Sequence, residues 1–337
     1  MKQITLLAIE GSNLGSLDHP RRAFLTVNSW LQQHHQPAAF IVKTIGLHTS
    51  VQLDQGLYSI HPEVLIHEPH HADLIIIPAF GGDIADTLQR NHAFIPWLIA
   101  QHAAGAEIAS LCLGTFLLAA TGLLDDKMCV THWQAIPLFR NLFPRVRVTT
   151  DRILTDEAGL YTGGGAFSSA NLMVYLIEKY AGHEAAMHCA RVFQIDLNRQ
   201  SQSPFMIFHP QKNHADEAVR QAQEYIEQHY AQPITVSQLC QLLALSRRSF
   251  ERRFKQATGF TVGGYIQRVR MEAAKKKLES GDTLVNEVMY AVGYQDHKAF
   301  REAFKKITGL SPLQYRNRYG KDWYRSAHDP MMDHELN

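Results

Sequence analysis

Cys112 is the first residue that could do chemistry. It lies in Ile108-Ala109-Ser110-Leu111-Cys112-Leu113-Gly114-Thr115-Phe116, where a short apolar run meets a helical pattern, with glycine two residues on. A thiol at a strand-to-helix junction has the geometry of a nucleophile elbow, and the helix dipole would lower its pKa. His132 is a candidate partner, and Glu10, Asp18 or His19 could serve as the acid or orienting group. A second set is basic. Residues 235–258 spell a short helix, a tight turn at Ala244-Leu245-Ser246 and a second helix whose Phe250 and Phe254 form an i, i+4 pair. Arg247, Arg248, Glu251, Arg252 and Lys255 are left on its outer side. Residues 283–308 repeat the pattern, with Gly293-Tyr294 at the turn, Phe300 and Phe304 inward, and His297, Lys298, Arg301, Glu302 and Lys305 outward. These are the parts of two helix-turn-helix units.

Two tempting runs lead elsewhere. His67-Glu68-Pro69-His70-His71 matches H-E-x-x-H, but that zinc motif needs one continuous helix and Pro69 interrupts it. Gly163-Gly164-Gly165 precedes a helix and could hold an anion, yet it lacks the Lys-Ser/Thr of a P-loop, so glycine for tight packing is the simpler expectation. No metal and no cofactor is expected.

The elements that must position these residues fall into two textures. The chain has 337 residues, 19% charged and 45% hydrophobic, which suits two globular domains. Short apolar runs at 4–9, 39–45, 74–77 and 108–111 read as strands. They alternate with helical spacing at 21–34, 93–104 and 115–121. Shorter strands follow at 146–149, 153–155 and 160–162, then helices at 167–181 and 184–197. This βα alternation predicts a doubly wound, mostly parallel sheet over 1–198. The polar stretch 199–214, with two prolines and no period, is expected to be a linker. From 215 to 325 everything reads as helix, beginning with a stripe of Ala218, Ala222, Tyr225, Ile226 and His229. Leu239, Leu242 and Leu243 form the expected apolar face of the first short helix. The long helix 262–279 would span about 27 Å, the right order to hold two recognition helices one DNA turn apart. Its Lys275, Lys276 and Lys277 read as a solvated face. A polar tail, 326–337, closes the chain.

Charge follows the same division. Residues 1–214 hold 14 Lys and Arg against 17 Asp and Glu, whereas 215–325 hold 19 against 12. A local basic excess is the electrostatic footprint of nucleic-acid binding. Four cysteines at 112, 129, 189 and 240, without a CxxC pair, point to reduced thiols and a cytoplasmic protein. The opening MKQITLLAIE is too short an apolar run for a secretory segment, and no stretch has the ~18 apolar residues of a membrane span.

The run AVGYQDHKAFREAFKKITGLSPLQYR at 291–316, with its partner unit upstream, resembles the AraC-type DNA-binding domain over about 218–320. The first 200 residues resemble the glutamine-amidotransferase-like superfamily that includes PfpI-type proteins, and within it the GlxA-like AraC regulators. The matching residues are Cys112 to Gly114, Gly122-Leu123-Leu124-Asp125, Thr131-His132-Trp133, the loop Pro78-Ala79-Phe80-Gly81-Gly82-Asp83, and Gly163-Gly164-Gly165. The resemblance implies a transcription regulator that binds double-stranded DNA and senses a small effector of the amino-acid or quaternary-amine class. It implies base contacts at Arg248, Glu251, Arg252, His297, Lys298, Arg301 and Glu302, and phosphate contacts at Arg247 and Lys255. The implied ligand pocket comprises Asp18, Phe80, Gly81, Cys112, Leu113, His132, Trp133 and Gly164, with Phe80 and Trp133 able to face a cation. A homodimer and contact with RNA polymerase are further expectations. The protease branch places His directly after the elbow Cys, where this chain has Leu113, so no catalytic residue is expected. The alternatives are a cysteine-dependent amidase or deglycase fused to a DNA-binding module, and a thiol redox sensor.

Overall fold

The computed structural model describes residues 1–165, 168–198, 201–208, 210–212, 214–281 and 283–321. The expected tail 326–337, residues 322–325 of the expected DNA-binding region, and Phe167, the expected start of a helix, lie outside the described residues. The chain divides into two compact units, Met1–Gln202 and a second that begins at Ser203.

The first unit runs β1 (Lys2–Ala8), α1 (Leu14–Gln33), β2 (Phe40–Gly46), β3 (Val51–Leu53), β4 (Tyr58–Ile60), β5 (Val64–Leu65), β6 (Leu74–Ile77), α2 (Ile84–Arg90), α3 (Phe94–Ala103), β7 (Glu107–Leu111), α4 (Thr115–Ala120), β8 (Met128–Cys129), α5 (Ile136–Leu142), β9 (Arg147–Val148), β10 (Leu154–Asp156), β11 (Leu160–Gly163), α6 (Ser168–Ala181) and α7 (His183–Val192). Seven strands form one sheet in the order β10-β11-β7-β6-β1-β2-β5. All pairs are parallel except β10 with β11. The central strands are apolar on both faces because helices cover both. Leu6, Ile76 and Leu111 face a core with Phe24 and Val27 of α1 and Leu172 and Leu176 of α6. Leu7, Ile75, Ile77 and Ile108 face the other core, with Phe94, Leu98, Phe116 and Phe139. The carboxyl ends of β1, β6, β7 and β11 share one edge, so the loops after them line up there.

The structure departs from the sequence expectations at element ends. Helix α1 begins at Leu14 rather than 21. Asn13 caps it by accepting from the Ser16 N–H, and Leu17 and Pro20 extend its buried face upstream of the expected start. Helix α7 ends at Val192, five residues short of the expected 197. Strands β3, β4, β5 and β8 have only two or three residues each and carry no readable period. His67 to His71 form a turn and irregular chain, and His70 Nε2 lies 2.7 Å from Thr5 Oγ1.

The second unit is helical: α8 (Glu217–His229), α9 (Val236–Leu242), α10 (Arg247–Thr258), α11 (Val262–Ser280), α12 (Val285–Ala291), α13 (His297–Thr308) and α14 (Pro312–Tyr319). Helix α8 buries Val219, Ala222, Gln223 and Ile226, a stripe turned from the expected one because Gln223 is fully satisfied inside. Its amide reaches Gln211 O at 3.0 Å and Tyr265 Oη at 3.2 Å. Leu242, expected on a buried face, is 58% exposed; Leu239 anchors α9 instead. Within the expected 199–214 linker the division between units falls after Gln202, and the downstream residues are packed. Met206 O accepts from Lys275 Nζ, and Phe208 N donates to Glu272 Oε2. Lys275 is therefore no solvated charge. It is 3% exposed and paired with Glu272 at 3.0 Å.

Candidate functional site

In the second unit, each basic helix is held by the same set of contacts. Ser246 caps α10 by accepting from the Ser249 N–H, and Asp296 caps α13 by accepting from the Ala299 N–H. Phe250 and Phe254 on α10, and Phe300 and Phe304 on α13, are buried. Thr258 Oγ1 donates to Phe254 O at 2.7 Å and Thr308 Oγ1 to Phe304 O at 2.8 Å. Gly259 and Gly309 each end their helix at φ +77°, a left-handed turn that suits glycine. With the inner faces fixed, Arg247, Arg248, Glu251, Arg252 and Lys255 are all exposed on α10, as are His297, Lys298, Arg301 and Glu302 on α13.

Not all the basic charge is free. Arg247 Nε lies 3.1 Å from Glu251 Oε1. Arg253, which the sequence reading passed over, grips Asp216 at 2.8 and 2.7 Å, tying α10 to the N-terminus of α8. Its guanidinium holds the Asp216 carboxyl below the usual range. Among the described residues Arg248, Arg252, Lys298 and Arg301 have no ion pair, so they remain available to an anion. Tyr290 on α12 was also missed. It is 59% exposed and its ring meets His297 edge-on at 6.3 Å.

In the first unit, Cys112 follows β7 directly and has φ +52°, strained for a residue other than glycine and the mark of an elbow. Its thiol is buried, which pushes its pKa up to about 11; the N–H groups of Leu113 and Gly165 offset this only in part. The dipole effect expected from sequence loses to burial, because among the described residues no cationic side chain stands against the sulfur. Thr131 Oγ1 donates to Cys112 O at 3.0 Å, bringing the 131–133 loop to the elbow. His132 does not engage the thiol. Its Nδ1 accepts from Gln134 N–H at 3.3 Å, its ring stacks on Trp133 at 5.7 Å, and burial lowers its pKa.

Of the remaining pocket candidates, Gly164 is buried after β11 and Leu113 is half-buried. Phe80 is a core side chain, 2% exposed, and so presents no ring to a ligand. Asp18 is held by Arg22 one helical turn away, at 2.5 Å. Gly81 lines a cavity of about 590 Å³ with Gly11, Asn13, Asp54, Gly82 and Arg90, which the sequence reading did not foresee. Gln202 was missed as well. It is 3% exposed, donates from Nε2 to Thr131 O at 3.1 Å, and packs on Gly164. It stands in a polar run whose pattern gives no sign of burial.

A DJ-1/PfpI family model matches residues 27–179, and a helix-turn-helix domain model matches residues 239–318. The first match falls within the unit Met1–Gln202 and the second within the helical unit that follows it. The chain is 25% identical over 244 residues to the HTH-type transcriptional regulator GbdR of Pseudomonas aeruginosa, covering 72% of this chain and 65% of that one, just under two thirds of the relative's length. To the HTH-type transcriptional regulator GlxA of Rhizobium meliloti it is 26% identical over 223 residues, 64% of this chain and 67% of that protein. A solved Vibrio parahaemolyticus protein described as a transcriptional regulator is similar in fold to part of this chain. It has a TM-score of 0.51 at 20% identity, over 57% of this chain and 98% of its own. The DJ-1/PfpI domain thus holds the elbow, and the helix-turn-helix domain holds both exposed basic helices. Among the described residues no helix is long and apolar enough to cross a membrane.

Proposed function

We propose that the protein is a sequence-specific, DNA-binding transcription regulator whose DJ-1/PfpI domain senses a small nitrogenous metabolite and catalyses nothing. The observation that carries this reading is the repeated unit: two capped helices with buried phenylalanines inside and unpaired arginine or lysine outside. Such helices enter the major groove, where Arg and Lys read guanine and the backbone takes the rest. On α10 we assign base reading to Arg248, Glu251 and Arg252, and phosphate contact to Arg247 and Lys255. On α13 we assign base reading to His297, Lys298, Arg301 and Glu302. A homodimer on paired half-sites, and contact with RNA polymerase, fit this reading.

The sensor role rests on the elbow. A thiol with pKa near 11 is overwhelmingly protonated at neutral pH and is a poor nucleophile and a poor redox sensor. We assign the effector site to the carboxyl edge of the sheet around Cys112, Leu113, His132, Trp133 and Gly164. The test is Cys112→Ser in the full chain, assayed for DNA affinity and for hydrolysis of amide and thioester probes. The sensor reading expects DNA affinity within about twofold of wild type and no hydrolysis by either protein. Hydrolysis by wild type that Cys112→Ser abolishes would replace it with the enzyme reading.

A further inference from the structure

Gln202 has no reason of composition to be buried. It belongs to a polar run and is the last residue before the helix-turn-helix unit begins at Ser203. Yet it is 3% exposed. Its Nε2 is satisfied by Thr131 O at 3.1 Å, whereas its Oε1 is buried without a hydrogen-bond partner among the described residues. Buried acceptors are nearly always paired, so Gln202 fits only half of the recess it fills. Gly164 makes the room. Its backbone is not in the left-handed region, so glycine is needed there for space: a Cβ would collide with the Gln202 carboxamide. Thr131 in turn bonds Cys112 O, which puts this recess beside the elbow.

We propose that Gln202 is a built-in occupant of the effector recess, and that the effector is a small molecule bearing an N–H donor, amide or ammonium, which takes Gln202's place on the Thr131 carbonyl. This rests on the reading of the DJ-1/PfpI domain as a sensor. The recess offers an acceptor, so a quaternary amine, which has no N–H, leaves it unpaired. Because Ser203 follows Gln202 directly, displacing the side chain frees the chain at the point where it enters the DNA-binding unit. A bound effector and an expelled Gln202 are then one event.

The test uses the full chain with propionamide, ethylammonium and tetramethylammonium as probes. Gln202→Ala vacates the recess, and Gly164→Ala fills it with a methyl group. Thermal unfolding of Gln202→Ala should shift upward with millimolar propionamide or ethylammonium, more than wild type does, because the internal competitor is gone. Whichever probe acts identifies the amide or the ammonium. Gly164→Ala should not respond. Tryptic cleavage at Arg199 and Lys212, read by mass spectrometry, should quicken several-fold in both variants, and the double variant should be no faster than either. No shift of Gln202→Ala with either N–H probe, an equal shift with tetramethylammonium, or additive cleavage rates would overturn the assignment. With DNA binding intact, any of these rejects the recess alone; a wild-type chain that fails to bind DNA rejects the broader reading.

Discussion

The two helix-turn-helix units repeat at an offset of fifty residues through their recognition helices. Phe250, Phe254, Thr258 and Gly259 answer to Phe300, Phe304, Thr308 and Gly309. The next helix repeats too: Phe254 meets Tyr265 at 5.3 Å and Phe304 meets Tyr315 at 5.4 Å, both edge-on. Their outward faces do not repeat. Glu251 stands opposite Arg301 in the alignment, and Arg252 opposite Glu302, so two neighbouring positions exchange charge. Arg247 neutralises Glu251 at 3.1 Å, whereas Glu302 has no ion pair among the described residues. The turns differ as well. Ala244 takes the left-handed position of the first at φ +51°, Gly293 that of the second at φ +81°, and Gln295 adds one residue to the second turn. The scaffold is constrained by packing, whereas the outward faces are free to differ. On the DNA-binding reading proposed above, two copies of one frame would present different chemistry to two stretches of groove.

The sharpest way to break this comparison is at the turns. A Cβ on Gly293 would lie 2.6 Å from Ala231 O, and the φ is left-handed besides. Gly293→Ala should therefore cost about 2–4 kcal/mol and lower the melting temperature of the helix-turn-helix unit markedly. Next come the reading faces. Arg252→Ala should weaken specific binding by roughly 1–3 kcal/mol and relax one base position. Arg301→Ala should lose less, since Glu302 already offsets its charge against the phosphates. Titration of operator and scrambled duplex with both variants decides it, and greater loss of discrimination in Arg301→Ala reverses the ranking.

The ion pair that anchors α10 to α8 has no counterpart on α13 among the described residues, and pH should reveal it. Arg253 depresses the Asp216 pKa, so the pair stabilises the fold above the unfolded carboxyl pKa of about 3.9 and loses its effect as pH falls through the folded value. Asp216→Asn keeps the cap on Val219 but removes the charge. It should lower the melting temperature by a few degrees at pH 7, and the gap from wild type should begin to narrow below about pH 4 and vanish as pH falls through the folded value. A gap that stays constant from pH 7 down to about pH 2 would assign the effect to something other than the ion pair. The smallest change expected is Ala244→Gly. It relieves a left-handed alanine at the cost of unfolded-state entropy, so stability should move by under about 1 kcal/mol. Differential scanning fluorimetry beside Gly293→Ala makes the contrast direct.

Much of this was legible in the residues themselves. The strands under the elbow were readable because burial on both faces leaves continuous apolar runs. The recognition helices were readable because Phe pairs at i, i+4 and capping Ser246 and Asp296 are local signals. What was not legible depended on partners distant in sequence. Lys275 looked solvated because the carbonyl of Met206, far away in sequence, closes over it only in three dimensions, although Glu272 stands one turn back on its own helix. Cys112 looked activated because the helix dipole is visible in a sequence and desolvation is not. Phe80 looked like a pocket residue by its place in a loop motif, but its ring is packed into the core. Gln202 carried no pattern at all; only the space at Gly164 explains where it went.

On the reading proposed above, the second unit alone carries DNA binding, through exposed basic helices on a self-sufficient core. That reading is tested most directly by fluorescence anisotropy of two fragments, 1–202 and 203–337, on duplex DNA between about 50 and 200 mM salt, where counterion release weakens phosphate-bound complexes by orders of magnitude. Residues 203–337 should bind, with affinity falling steeply and log-linearly as salt rises, and residues 1–202 should not bind at any salt concentration. Binding by the 1–202 fragment, or salt-insensitive binding by 203–337, would contradict the account.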